Sequence, residues 1–372
     1  MSLRAQEATT CPLAAAKNKQ QQEKIMKQTR TQDINIKTQT GSAPANGADA
    51  LPIRRGRVFG GRLLPKAGIL AVLVGVPLGT SLLTAGEEPH QAQYRFIAIP
   101  LPGAGWAVGI NDEGLVTGFY TDPVTGGVLS FLFDRGELKT GISGPGDTYT
   151  AMGPANNFGV ESGNDGDFTD QQPVFYDIRH GTFTPLPKIP GMPINFCDGL
   201  NDFGHASGVA YAGGNFDQPT GLGLNWIWDG RHYSFFTVPG AVNGAAAGGI
   251  NDWDQVTGYY VDSSGLPKGF VKDGQHFTTF DAPGALYTLA FGINNLSVVT
   301  GEYVNPDNSH HGYFWSGGQF VTVDVTIPGS NGTLWYGSND HGDLAGIFFT
   351  GADHVQNAVI AVRLDGDARR DR

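Results

Sequence analysis

The stretch Ala247-Gly248-Gly249-Ile250-Asn251-Asp252-Trp253-Asp254-Gln255-Val256-Thr257-Gly258-Tyr259-Tyr260 holds two short β-compatible runs on either side of an Asn-Asp turn. It continues through a polar loop to Gly269-Phe270-Val271, turns at Lys272-Asp273-Gly274 and ends in Phe277-Thr278-Thr279-Phe280-Asp281. Four such runs joined by Asp-Gly-type turns predict a four-stranded antiparallel meander.

The same pattern recurs along the chain. Gly249-Ile250-Asn251-Asp252 is echoed by Gly109-Ile110-Asn111-Asp112, Gly153-Pro154-Ala155-Asn156-Asn157, Gly199-Leu200-Asn201-Asp202, Gly292-Ile293-Asn294-Asn295 and Ser338-Asn339-Asp340. The leading asparagines, 111, 156, 201, 251, 294 and 339, are 45, 45, 50, 43 and 45 residues apart. A Pro-Gly pair at Pro102, Pro145, Pro190, Pro239, Pro283 and Pro328 precedes each of them by 9 to 12 residues. Phe131, Phe175, Trp226, Phe270, Tyr313 and Ala358 follow them at 19 to 25 residues. Three markers in one register define six units, each about the size of a propeller blade.

The two ends of the array complement one another. Unit six lacks a fourth strand after Ala358-Val359-Ile360-Ala361-Val362, whereas Phe96-Ile97-Ala98-Ile99-Pro100-Leu101-Pro102-Gly103 matches Phe277 through Gly284 position for position. An N-terminal strand that completes the last blade removes two open sheet edges, a device a linear solenoid does not need. The expected fold is therefore all-β, a six-bladed β-propeller over residues 94–366 with a polar tail at 367–372.

The motif Gly-Ile-Asn-Asp-x-Gly-x-Val-x-Gly, followed by a short aromatic strand and Pro-Gly, resembles the extracellular repeat family named for its His-Ala-Phe tripeptide. The tripeptide has decayed: His311-Gly312-Tyr313 keeps its His, while Lys268-Gly269-Phe270 and Leu129-Ser130-Phe131 do not. The resemblance implies export and a β-repeat fold, and no established reaction.

Composition agrees with many short strands. Gly makes up 55 of 372 residues and charged residues only 16%, and Gly serves turns that need positive φ while weakening helices. Residues 1–86 carry 12 Lys and Arg against 4 Asp and Glu, and residues 87–372 carry 12 against 31. The acidic portion repels phosphate backbones, so nucleic acid is not an expected partner. Residues 1–66 are polar and Gln-rich and read as a disordered leader. Arg54, Arg55, Arg57, Arg62 and Lys66 then precede the apolar run 67–86, the order of an export signal or of a membrane anchor if uncleaved, with a linker at 87–93. The exported part is expected to be periplasmic, cell-surface or secreted, and monomeric. Two cysteines, Cys11 and Cys197, offer no disulfide framework.

The repeated Asn-Asp turns are expected to be structural, because Asn and Asp bond nearby backbone N–H groups in tight turns. Chemistry belongs where the repeats differ. Tyr120, Tyr211, Tyr260 and Tyr303, with Asp122, Asp262 and Asn305 in the loops that follow, offer aromatic planes beside polar groups suited to a glycan or protein ligand, while packing between adjacent blades explains the same tyrosines. Asp165, Asp167 and Asp170 cluster in one loop with the oxygen ligands that Ca²⁺ prefers. His310 and His311 read as structural, and His205 occupies a position held elsewhere by Leu115, Val160, Gln255, Val298 and Asp343 that tolerates any residue. Cys197 reads as a small core residue, and no hydrolase elbow, zinc helix or phosphate loop is present. Two functions remain: a non-enzymatic binding propeller, and a carbohydrate-active or lactone-cleaving enzyme, which would need non-repeating acids near the axis.

Overall fold

Strand β1 (Tyr94–Ala98) precedes four strands of unit one, β2 (Gly105–Ile110), β3 (Val116–Thr121), β4 (Val128–Asp134) and β5 (Glu137–Ile142). This is a computed structural model, which describes residues 93–144, 147–214 and 219–364. The readings of the leader (1–66), the apolar run (67–86), the linker up to residue 92 and the tail (367–372) lie outside the described residues. Among the described residues every regular element is a strand, and no helix is long and apolar enough to cross a membrane.

Unit two holds β6 (Tyr149–Ala155), β7 (Val160–Gly166), β8 (Gln171–Asp177) and β9 (Thr182–Pro185). Unit three holds β10 (Ile194–Leu200) and β11 (Ala206–Tyr211), then a small added hairpin, β12 (Gly213–Gly214) with β13 (Pro219–Thr220), before β14 (Leu224–Trp228) and β15 (Tyr233–Phe236). That hairpin accounts for the longer spacing of this unit. Unit four holds β16 (Ala245–Ile250), β17 (Val256–Val261), β18 (Pro267–Asp273) and β19 (His276–Phe280). Unit five holds β20 (Tyr287–Ile293), β21 (Val299–Val304), β22 (His310–Ser316) and β23 (Gln319–Thr322), and unit six β24 (Ser330–Ser338), β25 (Leu344–Thr350) and β26 (Val355–Arg363).

Units three, four and five form separate four-stranded antiparallel sheets in chain order. Units one and two are two such meanders joined by a single parallel bridge, Val128 to Tyr149. In unit six the order is β24-β25-β26-β1, with β1 antiparallel to β26 in register from Tyr94↔Arg363 to Ala98↔Val359. The pairing of the first strand with the last thus follows the match between residues 96–103 and a fourth strand.

The repeat glycine of each second strand has a packing cause. Gly118 lies opposite Phe131, Gly208 opposite Trp226, Gly258 opposite Phe270 and Gly301 opposite Tyr313, and these four aromatic side chains are fully buried. A Cβ on Gly208 would run into the Phe196 carbonyl and sit 2.7 Å from Trp226 Cζ2, so the ring covers a space that only glycine leaves open. Unit six solves the problem differently: Trp335 on its first strand approaches Gly346, and the residue opposite that glycine is Val359, packed with Trp335, while Ala358 packs in the cluster shared with unit one.

The core lies between neighbouring sheets. One cluster joins Ala107, Val116, Tyr120 and Phe131 of unit one to Ala345, Ala358 and Ile360 of unit six, with Ile99 alongside. Cys197 is buried beside Trp226, as expected of a small core residue, and burial pushes its thiol up.

One buried group breaks the pattern. Thr117 and Ser207 donate from second strands to the Gly153 and Gly248 carbonyls of the next unit, at 2.6 and 2.5 Å. The counterpart of Thr117 and Ser207 in unit two is Ser162; the residue before it, Glu161, stands where the other units place the buried Val116, Ala206, Val256, Val299 and Leu344. Glu161 is fully buried, with neither carboxylate oxygen hydrogen-bonded and its carboxyl held well above 4.5 by burial. Above the unfolded value the unfolded chain ionises while the folded chain keeps its proton, so this residue lowers stability as pH rises. Glu161→Val, the residue of units one, four and five at this position, is therefore expected to raise the melting temperature at pH 8, by about 1–3 kcal/mol of stability, and by less at pH 4.5. Thermal melts across that range check it; an equal shift at both values would refute the titration.

Candidate functional site

The six repeat asparagines are buried and form one circuit. Asn111 Nδ2 donates to the Asn156 carbonyl (3.1 Å), Asn156 to Asn201 (3.2 Å), Asn201 to Asn251 (3.0 Å), Asn251 to Asn294 (3.0 Å) and Asn294 to Asn339 (2.9 Å). Asn339 donates back to the Asn111 carbonyl at 3.1 Å, 228 residues away. Each Asn Oδ1 also accepts the backbone N–H four residues ahead, as Asn251 does from Gln255 at 3.0 Å. The turn role expected of these residues is present, and the bonds between units add to it.

A second circuit lies one residue further on. The backbone N–H groups of Asp112, Asn157, Asp202, Asp252, Asn295 and Asp340 each donate to the side chain of the next member, at 2.8–2.9 Å, and Asp340 donates to Asp112. Four carboxylates and two amides therefore face one another. Asn157 Nδ2 bridges Asp112 and Asp202 at 2.9 and 3.0 Å, which relieves their repulsion. Burial first, then the charge of Asp112, raises the Asp340 carboxyl. Beyond this circuit, Phe158, Phe203, Trp253 and Leu296 occupy one repeat position in four successive units and are 63–72% exposed.

The two circuits border a small cavity of about 100 Å³. Val108, Asp198 and Tyr336 line both this cavity and a second one of about 350 Å³. These three occupy equivalent positions, three residues before the ring asparagine; the others there are Gly153, Gly248 and Phe291. The first strand of every unit bulges at or beside this residue, with register breaks such as Ala107/Gly109, Cys197/Gly199, Ala290/Gly292 and Trp335/Gly337. A bulge re-aims a side chain, and here it turns the most variable residue of the motif into the cavity.

The larger cavity is walled by Phe119, Phe196, Tyr211, Tyr259, Phe291 and Tyr336, with Asp198 among them. Phe291 bridges Tyr259 (ring centroids 6.2 Å apart) and Tyr336 (5.0 Å). Asp198 is exposed to this cavity yet enclosed by protein, and loss of solvation raises its carboxyl from 3.8 to about 7. Among the described residues no hydrogen bond reaches that carboxylate. Burial raises the Tyr211, Tyr259 and Tyr336 hydroxyls, and the Asp198 charge raises them further.

The residues singled out in the sequence are dispersed. Tyr120 and Tyr260 are buried between sheets, and Tyr303 is half-buried, bonded to Thr322 Oγ1 (2.9 Å) and stacked on His311. Tyr211 alone of the four lines the cavity. Tyr120, Tyr260 and Tyr303 stand two residues after the second-strand glycine and Tyr211 stands three after it, so the two-residue period of a strand sends them to opposite faces. Asp122 is turned to Val124 and Thr125, Asp262 to Ser264 and Lys268, and Asn305 to Ser309.

The acidic loop is divided in the same way. Asp165 accepts from Thr150 Oγ1 (2.6 Å), and burial, with Asp147 beside it, raises its carboxyl to about 6. Asp167 caps Thr169 and Asp170, and Asp170 pairs with Lys188 at 2.8 Å. Among the described residues no three His, Cys, Asp or Glu side chains converge on a metal-binding arrangement. His205 pairs with Asp254 (2.7 Å), His310 with Glu302 (3.0 Å) and His311 with Asp324 (2.7 Å), each holding strands or units together.

No protein-family model matches the chain, and no curated protein matches it in sequence. In structure it is similar to TolB from Acinetobacter baumannii, with 11% identity over 67% of this chain and a TM-score of 0.46; the match spans 63% of that protein. It is also similar to a gluconolactonase from Xanthomonas campestris (10% identity, 73% of this chain, 90% of that one, TM-score 0.45). A third is the fucose-recognising lectin of Aleuria aurantia, described as a six-bladed β-propeller (11% identity, 73% of this chain, 98% of that one, TM-score 0.43).

Proposed function

We propose that this chain is a closed six-bladed β-propeller of the His-Ala-Phe repeat type that works outside the cytoplasm and binds a sugar in its axial cavity without transforming it. The carrying observation is the 350 Å³ cavity, in which aromatic side chains, tyrosine hydroxyls and one carboxylate converge. Its size falls within the roughly 300–1,000 Å³ of small-ligand sites, and such sites combine apolar walls with a few placed polar groups. Support for ring closure comes from the β1–β26 pairing and from the asparagine circuit that returns to Asn111. Export rests on the basic-then-apolar order of residues 54–86, and fractionation of a tagged chain tests it.

A catalytic reading rests on Asp198, whose carboxyl near pH 7 suits acid–base work. Glycoside hydrolysis ordinarily takes a pair of carboxylates; Asp198 is the single one lining the aromatic cavity, which favours binding. Isothermal titration of the full chain with monosaccharides tests the proposal. Ala246 lines the cavity at the position that Phe196 holds in unit three. Ala246→Phe is expected to fill the space and abolish sugar binding while leaving the melting temperature within a few degrees. Undiminished binding by that variant would place the site elsewhere.

A further inference from the structure

We infer that the sugar taken by this cavity carries a free ammonium group, as an amino sugar does, with Asp198 as its counter-ion; the inference rests on the sugar-binding reading above. The first ground is charge. The two axial cavities are lined by five carboxylates, Asp112, Asp198, Asp202, Asp252 and Asp340, and by no Lys, Arg or His. Clefts lined by one sign of charge between low-dielectric walls focus the potential, so anionic sugars are rejected and cations drawn in.

The second ground is the state of Asp198. Asp198 is exposed to the solvent of the cavity, and among the described residues nothing supplies its carboxylate with a donor or a positive charge, so a ligand group that is both can pair with it directly. An ammonium group supplies both. The faces of Tyr259, Phe291 and Tyr336 stand in the same cavity, and aromatic faces attract an organic cation through their quadrupoles. A divalent metal is a poor alternative, because hard cations need several oxygen ligands and no second carboxylate lines the aromatic part. A neutral sugar can offer the carboxylate hydroxyl hydrogen bonds but no charge, and charge-assisted bonds are the stronger ones.

The chemistry also carries a proton signature. The titratable groups facing Asp198 are Tyr211 on β11, Tyr259 on β17 and Tyr336 on β24, with Cys197 beside it in the chain; burial holds all four neutral at pH 7. Asp198, at about 7, is half protonated there. A bound ammonium drives it to the charged form, so glucosamine is expected to expel a proton from Asp198 at pH 7, offset in part by protonation of the fraction of sugar amine that is neutral there, and glucose to expel none.

The test is isothermal titration of the full chain at pH 7 with glucosamine, glucose and glucuronate, in two buffers of different ionisation heat. Glucosamine is expected to bind at least tenfold more tightly than glucose and to release protons, with glucuronate weakest. Asp198→Asn should bring glucosamine and glucose within twofold of each other and remove the proton release, while Ala246→Phe removes binding of both. Equal affinity for glucosamine and glucose in the unmodified chain would overturn the ammonium inference and leave the sugar-binding reading standing. If neither sugar binds, the reading itself falls and the inference falls with it.

Discussion

A chain that begins at Trp106 is expected to lose cooperative folding and to aggregate, whereas one that begins at Glu87 melts in a single transition and stays soluble. The shorter chain lacks β1, which contributes the fourth strand of unit six through five residue pairs with β26, and it lacks the Ile99 N–H bond to Ala358 at 2.9 Å. It also removes Ile99, buried in the cluster shared by units one and six, and Phe96, which stacks on Trp335. Each backbone bond is worth about 0.5–1.5 kcal/mol net, so five or more approach the whole stability of an ordinary domain. The loss also exposes β26 as an open edge, a template for pairing with other chains. Size-exclusion chromatography and thermal melts of the two chains check this; equal solubility and cooperativity would show that β1 is dispensable.

The second large effect is expected at Asn339, where the asparagine circuit returns to its start. Its Oδ1 accepts the His341 and Asp343 N–H groups at 3.1 and 2.9 Å, and its Nδ2 donates to the Asn111 carbonyl at 3.1 Å. Asn339→Ala leaves these buried groups without partners, at about 1–3 kcal/mol for each orphaned group before relaxation. A total loss of roughly 3–5 kcal/mol, or a fall of roughly 10 °C in melting temperature, is expected. Asn339→Asp keeps the two acceptor bonds but replaces the donor, which also reaches Asp343 Oδ2 at 3.1 Å, with a second buried carboxylate, so at neutral pH it should be no more stable than Ala. Chemical denaturation of the three proteins decides it. Ala and wild type melting together would mean that the circuit contributes nothing to stability.

Much of the strand order was legible because the repeat restates it. In unit four the runs at 247–250, 255–260, 269–271 and 277–281 fall within or beside β16, β17, β18 and β19. The Asn-Asp turns, the inserted length in unit three and the destination of residues 96–103 were equally visible. The site was less so. Tyr120, Tyr211, Tyr260 and Tyr303 look alike as aromatic ends of a strand, but one residue of register separates the tyrosine that faces the cavity from those packed between sheets. The signal that could have found Asp198 was present: among Val108, Gly153, Asp198, Gly248, Phe291 and Tyr336, the position before the repeat glycine or its counterpart varies where the rest of the motif repeats. It was hidden because this position sits inside the turn motif, and alternation along a strand does not reveal a bulge.

The sequence by itself determined the units, their four strands each and the missing strand at the other end, because glycine turns, Asn caps and two-residue alternation act over a few neighbouring residues. Only the tertiary structure decided what the turns and bulges do together. A hydrogen bond from Asn339 to Asn111 spans 228 residues, and the carboxyl of Asp198 rises to about 7 because side chains from other units exclude water around it. Desolvation and ring-wise bonding depend on which distant residues share a space. That is set when the sheets pack, not by the order of residues within any one of them.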